Sequence, residues 1–250
     1  IKLTQWDNID KNINYNYAWT EFDKPKIAII YAVGAIMPGE SIGGKTGSST
    51  MGDETIRKAI KAAREDKSID AIVLRIDSPG GSGSASDLIW REIIKTTDKD
   101  TANIKPFIAS MSDVAASGGY YIACQADKIV AHPSTITGSI GVLGGRINLT
   151  GLMNKIGISY DRMVFGDNAA FWSNNKLWTD KEKERFRSLI KEFYGKFLNK
   201  VVDGRNISEL DSLKVDSVGG GRVWTGTDAK DHLLVDQLGG LFDSIEIAKK

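Results

Sequence analysis

Ile69-Asp70-Ala71-Ile72-Val73-Leu74-Arg75-Ile76 runs straight into Asp77-Ser78-Pro79-Gly80-Gly81, and this stretch decides the fold. A short, mostly apolar run rich in β-branched residues, closed by a turn signal, predicts a strand buried on both faces. Apolar residues then recur at helical spacing from about Ser84 to Thr96. The same alternation extends upstream. Lys26-Ile27-Ala28-Ile29-Ile30-Tyr31-Ala32-Val33 is a second continuous apolar run, ended by Gly34 and also expected to be buried on both faces. A Gly/Ser/Thr-rich loop over 38–52 follows it. Asp53 then offers an N-cap to a helix whose apolar face is Ile56, Ala59, Ile60 and Ala63. Downstream come a strand over Pro106–Met111, a helix opening near Ser117 and a short strand, Lys128–Ala131. Strands alternating with helices over short connections predict right-handed βαβ units in a mainly parallel α/β sheet.

From Thr179 the pattern turns helical. Thr179 with Glu182 forms a capping box. Phe186, Leu189, Ile190, Phe193, Phe197 and Val201 make one apolar stripe, and Gly204 is placed to close the helix. No Pro-rich or low-complexity linker and no internal repeat divides the chain, so residues 26–250 are expected to form one domain. Residues 1–25, rich in Asn, Asp, Lys and aromatics and starting without Met, read as the continuation of a longer polypeptide.

The apolar fraction of 41% and charged fraction of 26% are ordinary for a globular protein. A formal net charge of +1 provides no general attraction to nucleic acid or anionic lipid. Cys124 is the single cysteine, which excludes an internal disulfide and any multi-cysteine metal site. Its neighbours Tyr121, Ile122 and Ala123 suit a small buried residue rather than a reactive thiol. No apolar run is long enough to span a membrane. No ligand cluster indicates a metal, and no cofactor is implied.

Three glycine-rich segments each follow a predicted strand: Asp77–Ser82, Ala115–Tyr120 and Thr137–Gly141. Open parallel sheets bind ligands at the carboxyl ends of their strands, where these segments should converge. Ser117 sits among small residues at a helix opening. Its hydroxyl can face a cleft while the Gly118 amide, at the positive helix end, faces the same point. Attack on a carbonyl and stabilisation of the oxyanion need that geometry. Gly81, lacking a Cβ, can offer a second N–H to a close peptide carbonyl. The same residues also suit a plain helix cap with tight turns, and residue types alone leave both readings open. A serine nucleophile needs a base. His132, before Pro133, and His232, near Leu233 and Leu234, have no evident carboxylate partner, which disfavours a Ser-His-Asp triad.

At this level of detail the chain resembles a family. Asp77-Ser78-Pro79-Gly80-Gly81, Ala115–Ala123, Ala126–Ala131 and Thr137-Gly138-Ser139-Ile140-Gly141-Val142 resemble the signal peptide peptidase A (protease IV) family. Gly221-Arg222-Val223-Trp224-Thr225-Gly226 and Leu234–Gly240 extend the likeness, which spans roughly residues 25–248. The resemblance implies a stack of βαβ units like those of Clp protease and crotonase. It also implies a Ser/Lys dyad peptidase that degrades cleaved signal peptides and other hydrophobic peptides. The implied setting is the extracytoplasmic face of the bacterial cytoplasmic membrane, in a homo-oligomer. By the same resemblance Ser117 is the nucleophile, Gly118 and Gly81 are the oxyanion donors, and Ser139 is the second serine that positions the lysine.

The lysine departs from the pattern. Residues 158–164 match the family strand that precedes it, yet Asn168 stands at the lysine position, and an amide cannot take the Ser117 proton. Lys176, eight residues on, is the displaced alternative. The resemblance points instead to the serine-bearing second repeat of the long two-repeat form, with the base supplied by an N-terminal repeat. Two alternatives stay open: a non-catalytic peptide-binding scaffold of the same fold, and a crotonase-like acyl-CoA enzyme.

Overall fold

The computed structural model describes residues 26–43, 49–98, 103–205 and 216–250. The segment 1–25, expected to continue from an upstream repeat, lies outside the described residues. In chain order the elements are β1 (Lys26–Val33), β2 (Ala35–Met37), β3 (Thr50–Gly52), α1 (Asp53–Glu65), β4 (Ile69–Ser78), α2 (Gly83–Thr97), β5 (Phe107–Ala116) and α3 (Gly118–Ala123). Then follow β6 (Lys128–Ala131), β7 (Ile136–Gly138), α4 (Thr150–Lys155), α5 (Asp180–Gly204), β8 (Val223–Thr225), α6 (Gly226–Asp231), β9 (Gln237–Leu238) and α7 (Leu241–Ala248).

The main sheet runs β1-β4-β5-β6-β9, and every pair along this path is parallel. β5 is long enough to serve two neighbours. Its first half pairs with β6 and its end pairs with β7, which in turn pairs antiparallel with β8. The expected mainly parallel α/β architecture is what the chain adopts.

β4 is buried on both faces, as its sequence predicts. Ile72, Leu74 and Ile76 face the main core with Ile60 of α1 and Ile89 and Ile93 of α2, and all are inaccessible to solvent. Ala71 and Val73 face the other way, into a smaller cluster with Ile108, Val130 and Ala248 that α7 covers. Each fully buried aliphatic side chain contributes about 1.5–3 kcal/mol of transfer free energy, so this layer secures the strand ends where the site forms.

β1 corrects the expectation of burial on both faces. It is an edge strand, and α7 covers only its start, where Ile27 packs on the smaller cluster. Ile29, Tyr31 and Val33 on that same face remain 38%, 61% and 42% exposed. The cap of α1 also differs from expectation. Gly52 is the N-cap, and the Asp53 carboxylate instead accepts the Gly39 N–H at 2.9 Å and pairs with Arg57 at 3.0 Å. The expected 38–52 loop contains β3, which pairs with β2, while residues 44–48 lie outside the described residues.

The α5 capping box is present as expected: the Glu182 N–H donates to the Thr179 hydroxyl, and the Thr179 N–H donates to the Glu182 carboxylate. Of the predicted stripe, Phe197 and Val201 are buried, Phe193 packs against the core and Ile190 reaches the site instead. Gly204 is the last helical residue and Arg205 the C-cap, so Gly204 forms no left-handed stop; glycine there answers a contact, since a Cβ would stand 2.3 Å from the Cys124 carbonyl oxygen. Among the described residues no helix is long and apolar enough to cross a membrane.

Candidate active site

The site forms where β5 ends and α3 begins. Ala116 is in register with Gly138 across the parallel β5–β7 pair. The residue that follows each strand end is a serine, Ser117 after β5 and Ser139 after β7, and both line one cavity. Both adopt a left-handed backbone, φ 51° for Ser117 and φ 48° for Ser139, uncommon for residues with a Cβ. The surroundings impose it. The Ser117 N–H donates to the Gly138 carbonyl at 2.9 Å and the Ser117 carbonyl accepts the Tyr121 N–H at 2.9 Å, while the Ser139 N–H donates to the Arg222 carbonyl at 2.6 Å. Strand, turn and helix thus hold the Ser117 side chain at a sharp corner.

The Asp77–Ser82 turn reaches the same point. The Ser78 hydroxyl accepts the Gly80 N–H, the Ile36 N–H donates to the Gly80 carbonyl, and the Ser82 N–H donates to the Ile36 carbonyl. Parallel pairing of Ile36 across from Gly81 leaves the Gly81 N–H pointing away from that ladder. The Gly118 N–H belongs to the first turn of α3, which has no intrahelical acceptor. Among the described residues neither N–H has an acceptor. Both glycines line a 170 Å³ cavity that they share with Ser117.

Close packing explains the residue types. At Gly80 (φ 98°) a Cβ would lie 2.6 Å from the Gly118 nitrogen and 2.9 Å from the Ser117 Cβ. At Gly118 it would meet the Ser86 hydroxyl oxygen at 2.6 Å, and at Gly81 the Ile36 carbonyl at 2.2 Å.

A larger cavity of about 510 Å³ opens on Ser117 and Ser139, walled by Val142, Leu143 and Ile190 and reached by Lys191, Tyr194, Gly220 and Gly221. The Tyr194 hydroxyl donates to Asp216 at 2.5 Å and accepts the Gly220 N–H at 2.8 Å, which ties α5 to the loop that carries Ser139's partner, Arg222. Burial and the Asp216 bond push the Tyr194 hydroxyl above its ordinary pKa, keeping it a donor. Sequence reasoning missed Ile190, Lys191 and Tyr194. Their helix was legible, but which of its faces meets a loop distant in sequence was not.

α3 is anchored from its far side. The Tyr121 hydroxyl donates to Asp87 at 2.8 Å, Lys200 pairs with Asp87 at 2.9 Å, and the Lys200 ammonium lies 3.0 Å from the Trp90 ring centroid. Burial pushes the Asp87 carboxyl up, but its bonds from Lys200 and Tyr121 prevail and hold it below the usual range. Cys124 is buried as expected, and burial pushes its thiol up to about 12.

The structure brings Ser117, Ser139, Gly118 and Gly81 together and leaves the two base candidates apart. Asn168 is exposed in a turn, its carbonyl accepting from Phe171. Lys176 is committed to Glu182 at 2.5 Å, in the capping box of α5. Neither lines the two cavities on Ser117. Residues 158–164, expected as a strand, are exposed and without a ladder, because no neighbouring strand stands beside them among the described residues. His132 bonds Ser134 at 2.8 Å at the surface, and His232 packs edge-on to Trp224 with ring centroids 4.2 Å apart. Neither lines the cavities on Ser117. Among the described residues no cluster of His, Cys, Asp and Glu suits a metal ion.

Residues 99–250 match the family model described as peptidase family S49. The chain is 42% identical over 228 residues to the serine protease SPPA, chloroplastic, of Arabidopsis thaliana, covering 91% of this chain and 32% of that protein. It is 38% identical over 227 residues to protease 4 of Salmonella typhi, covering 89% of this chain and 35% of that protein. Protease 4 of Haemophilus influenzae matches at 34% over 228 residues, or 90% and 34% of the two chains. The chain thus spans about a third of the length of these curated relatives. Paired serines at adjacent strand ends, two unpaired glycine amides and this match converge on one conclusion: the chain belongs to peptidase family S49, the family of the signal peptide peptidase A and protease 4 enzymes.

Proposed function

We propose that this chain supplies the nucleophile and the oxyanion donors of a Ser/Lys dyad peptidase. Its substrates are cleaved signal peptides and other hydrophobic peptides, and its lysine base comes from an N-terminal repeat outside these residues. The observation that carries this reading is Ser117, strained at a strand-to-helix corner beside Ser139, with two acceptor-free amides on the same cavity.

In this mechanism the Ser117 Oγ attacks the scissile carbonyl, whose oxygen, as it gains charge, is received by the Gly81 and Gly118 N–H groups. Such preorganised donors are each worth on the order of 10²–10³ in rate. Ser139 accepts from the incoming lysine and holds it toward Ser117. A lysine works as a base only in its neutral form, about 0.04% of the population at pH 7 for an unperturbed amine, so it must be desolvated on arrival. Lys176 is committed to an ion pair with Glu182, and Lys191, although in the cleft, is solvent-exposed. A base from outside these residues answers that lack. The apolar walls of the cleft, Val142, Leu143 and Ile190, suit hydrophobic peptides.

The remaining assignments follow the family reading: residues 26–250 as one nucleophile-bearing domain, assembly with further copies, and residence at the outer face of a bacterial cytoplasmic membrane. The second reading, a non-catalytic peptide binder, is favoured by the same observation, that among the described residues the exposed Lys191 is the only lysine lining the two cavities on Ser117. The full-length polypeptide carrying this sequence is expected to cleave hydrophobic peptides and to lose that activity on Ser117→Ala. Peptide binding without any cleavage in the parent protein would establish the binder instead.

A further inference from the structure

The large cleft carries one formal charge among its lining residues, that of Lys191. The smaller cavity on Ser117 has no charged residue in its lining. The α5 sequence explains why this cation is left over. Lys183 pairs with Asp180 at 2.9 Å, Arg187 with Glu184 at 3.4 Å and Lys196 with Glu192 at 2.7 Å, all along the helix surface. Around Lys191 the positions one turn away are Arg187, Ser188, Tyr194 and Gly195, none of them a carboxylate. Among the described residues its ammonium forms no ion pair, and Tyr194, its neighbour in the cleft, is committed to Asp216 and Gly220.

We infer that Lys191 is a specificity-determining residue. It selects peptides that carry a carboxylate near the scissile bond, as an Asp or Glu side chain or as the C-terminal carboxylate. The inference rests on the peptide-cleft reading above and adds a charge preference to its apolar walls. Because Lys191 is exposed, the preference is modest, about two- to fivefold, in line with solvent-exposed ion pairs. It should shrink as salt screens the pair.

The test uses the full-length polypeptide and matched peptides in which Glu replaces Gln at successive positions around the cleavage site, each as a C-terminal acid and as an amide. Cleavage is read as kcat/KM. Binding of the same peptides is read by fluorescence anisotropy in the Ser117→Ala background. A Glu-over-Gln ratio of about two to five at one position, lost in Lys191→Gln and inverted in Lys191→Glu, supports the inference. Preference for the acid over the amide alone, lost in the same variants, assigns the group to the peptide terminus. Ratios identical in all three proteins overturn it. So does an equal collapse of kcat for every peptide in Lys191→Gln with unchanged binding, because Lys191 is then the base. If no peptide is cleaved by the parent protein, the peptidase reading fails and the binding ratios alone decide the role of Lys191.

Discussion

At the scale of single residues, the strain at Ser117 makes an opposition between stability and chemistry measurable. A non-glycine residue held at positive φ costs on the order of 1–3 kcal/mol. Ser117 sits at φ 51°, ψ −117°, where glycine rests without penalty. Ser117→Gly should therefore raise stability by about 1 kcal/mol and, on the proposed function, abolish peptide cleavage by the full-length polypeptide. Ser117→Ala should abolish cleavage without that gain. Thermal unfolding of the two variants compares them directly, and equal melting temperatures would mean that the corner is relaxed. Gly118→Ala tests the neighbouring contact. Its Cβ would press on the Ser86 hydroxyl at 2.6 Å and on Ile36 at 3.1 Å, so a loss of about 1–3 kcal/mol is expected together with displacement of the Gly118 N–H, the oxyanion donor of the proposed mechanism. Cys124 offers a contrast. Its thiol, pushed up to about 12 by burial, should resist a thiol reagent at pH 8 until the protein is unfolded.

At the scale of elements, the N-terminus of α5 is where pH should be felt. The bond from Lys176, then the Thr179 N–H, draw the Glu182 carboxyl down to about 2. A carboxyl depressed in the folded state contributes stability that is fully present above its unfolded pKa, about 4.3. That contribution is lost as pH falls through about 2. Glu182→Gln should therefore be less stable than the parent at pH 6, with the difference closing as pH falls from about 4 to about 2. A difference independent of pH would assign the effect to the cap's shape alone. This element was legible in advance because a capping box is a local pattern, as were β4, α2 and the turn at Asp77–Gly81. What escaped depended on distant partners. Nothing in the apolar run of β1 says that it lies at a sheet edge with one face half covered. Residues 158–164 have the composition of a strand, but a strand exists only beside another. The serines and glycines of the site could be named because each marks a strand end. Lys191 and Tyr194 could not, since the loop that brings them to the cleft approaches from residues 216–222.

At the scale of the molecule, one segment is out of keeping with an isolated domain. From residue 143 to 177 the chain leaves large apolar side chains in solvent: Leu143, Ile147, Leu152 and Tyr160, with Met163 at 91% and Phe165 at 88% exposure. α4, within this segment, buries none of its residues. Single exposed apolar residues are ordinary, but a run this dense marks an interaction surface. Its occupant is argued by position. The segment contains Asn168, where the family reading expects the lysine, and the unladdered residues 158–164, and the chain spans only about a third of its curated relatives. Under the function proposed above, that occupant would be a second, lysine-bearing unit of the same fold, from the same polypeptide or a neighbouring copy. Met163→Asp with Phe165→Asp in the full-length polypeptide discriminates. Both side chains are nearly free of contact here, so charges there should change this domain's own stability by no more than about 0.5 kcal/mol. In an apolar interface the same two carboxylates meet a large desolvation cost. The expected outcome is a smaller sedimenting species and at least a tenfold fall in peptide hydrolysis at unchanged melting temperature. Parent-like sedimentation and hydrolysis would show that the base reaches Ser117 by some other face.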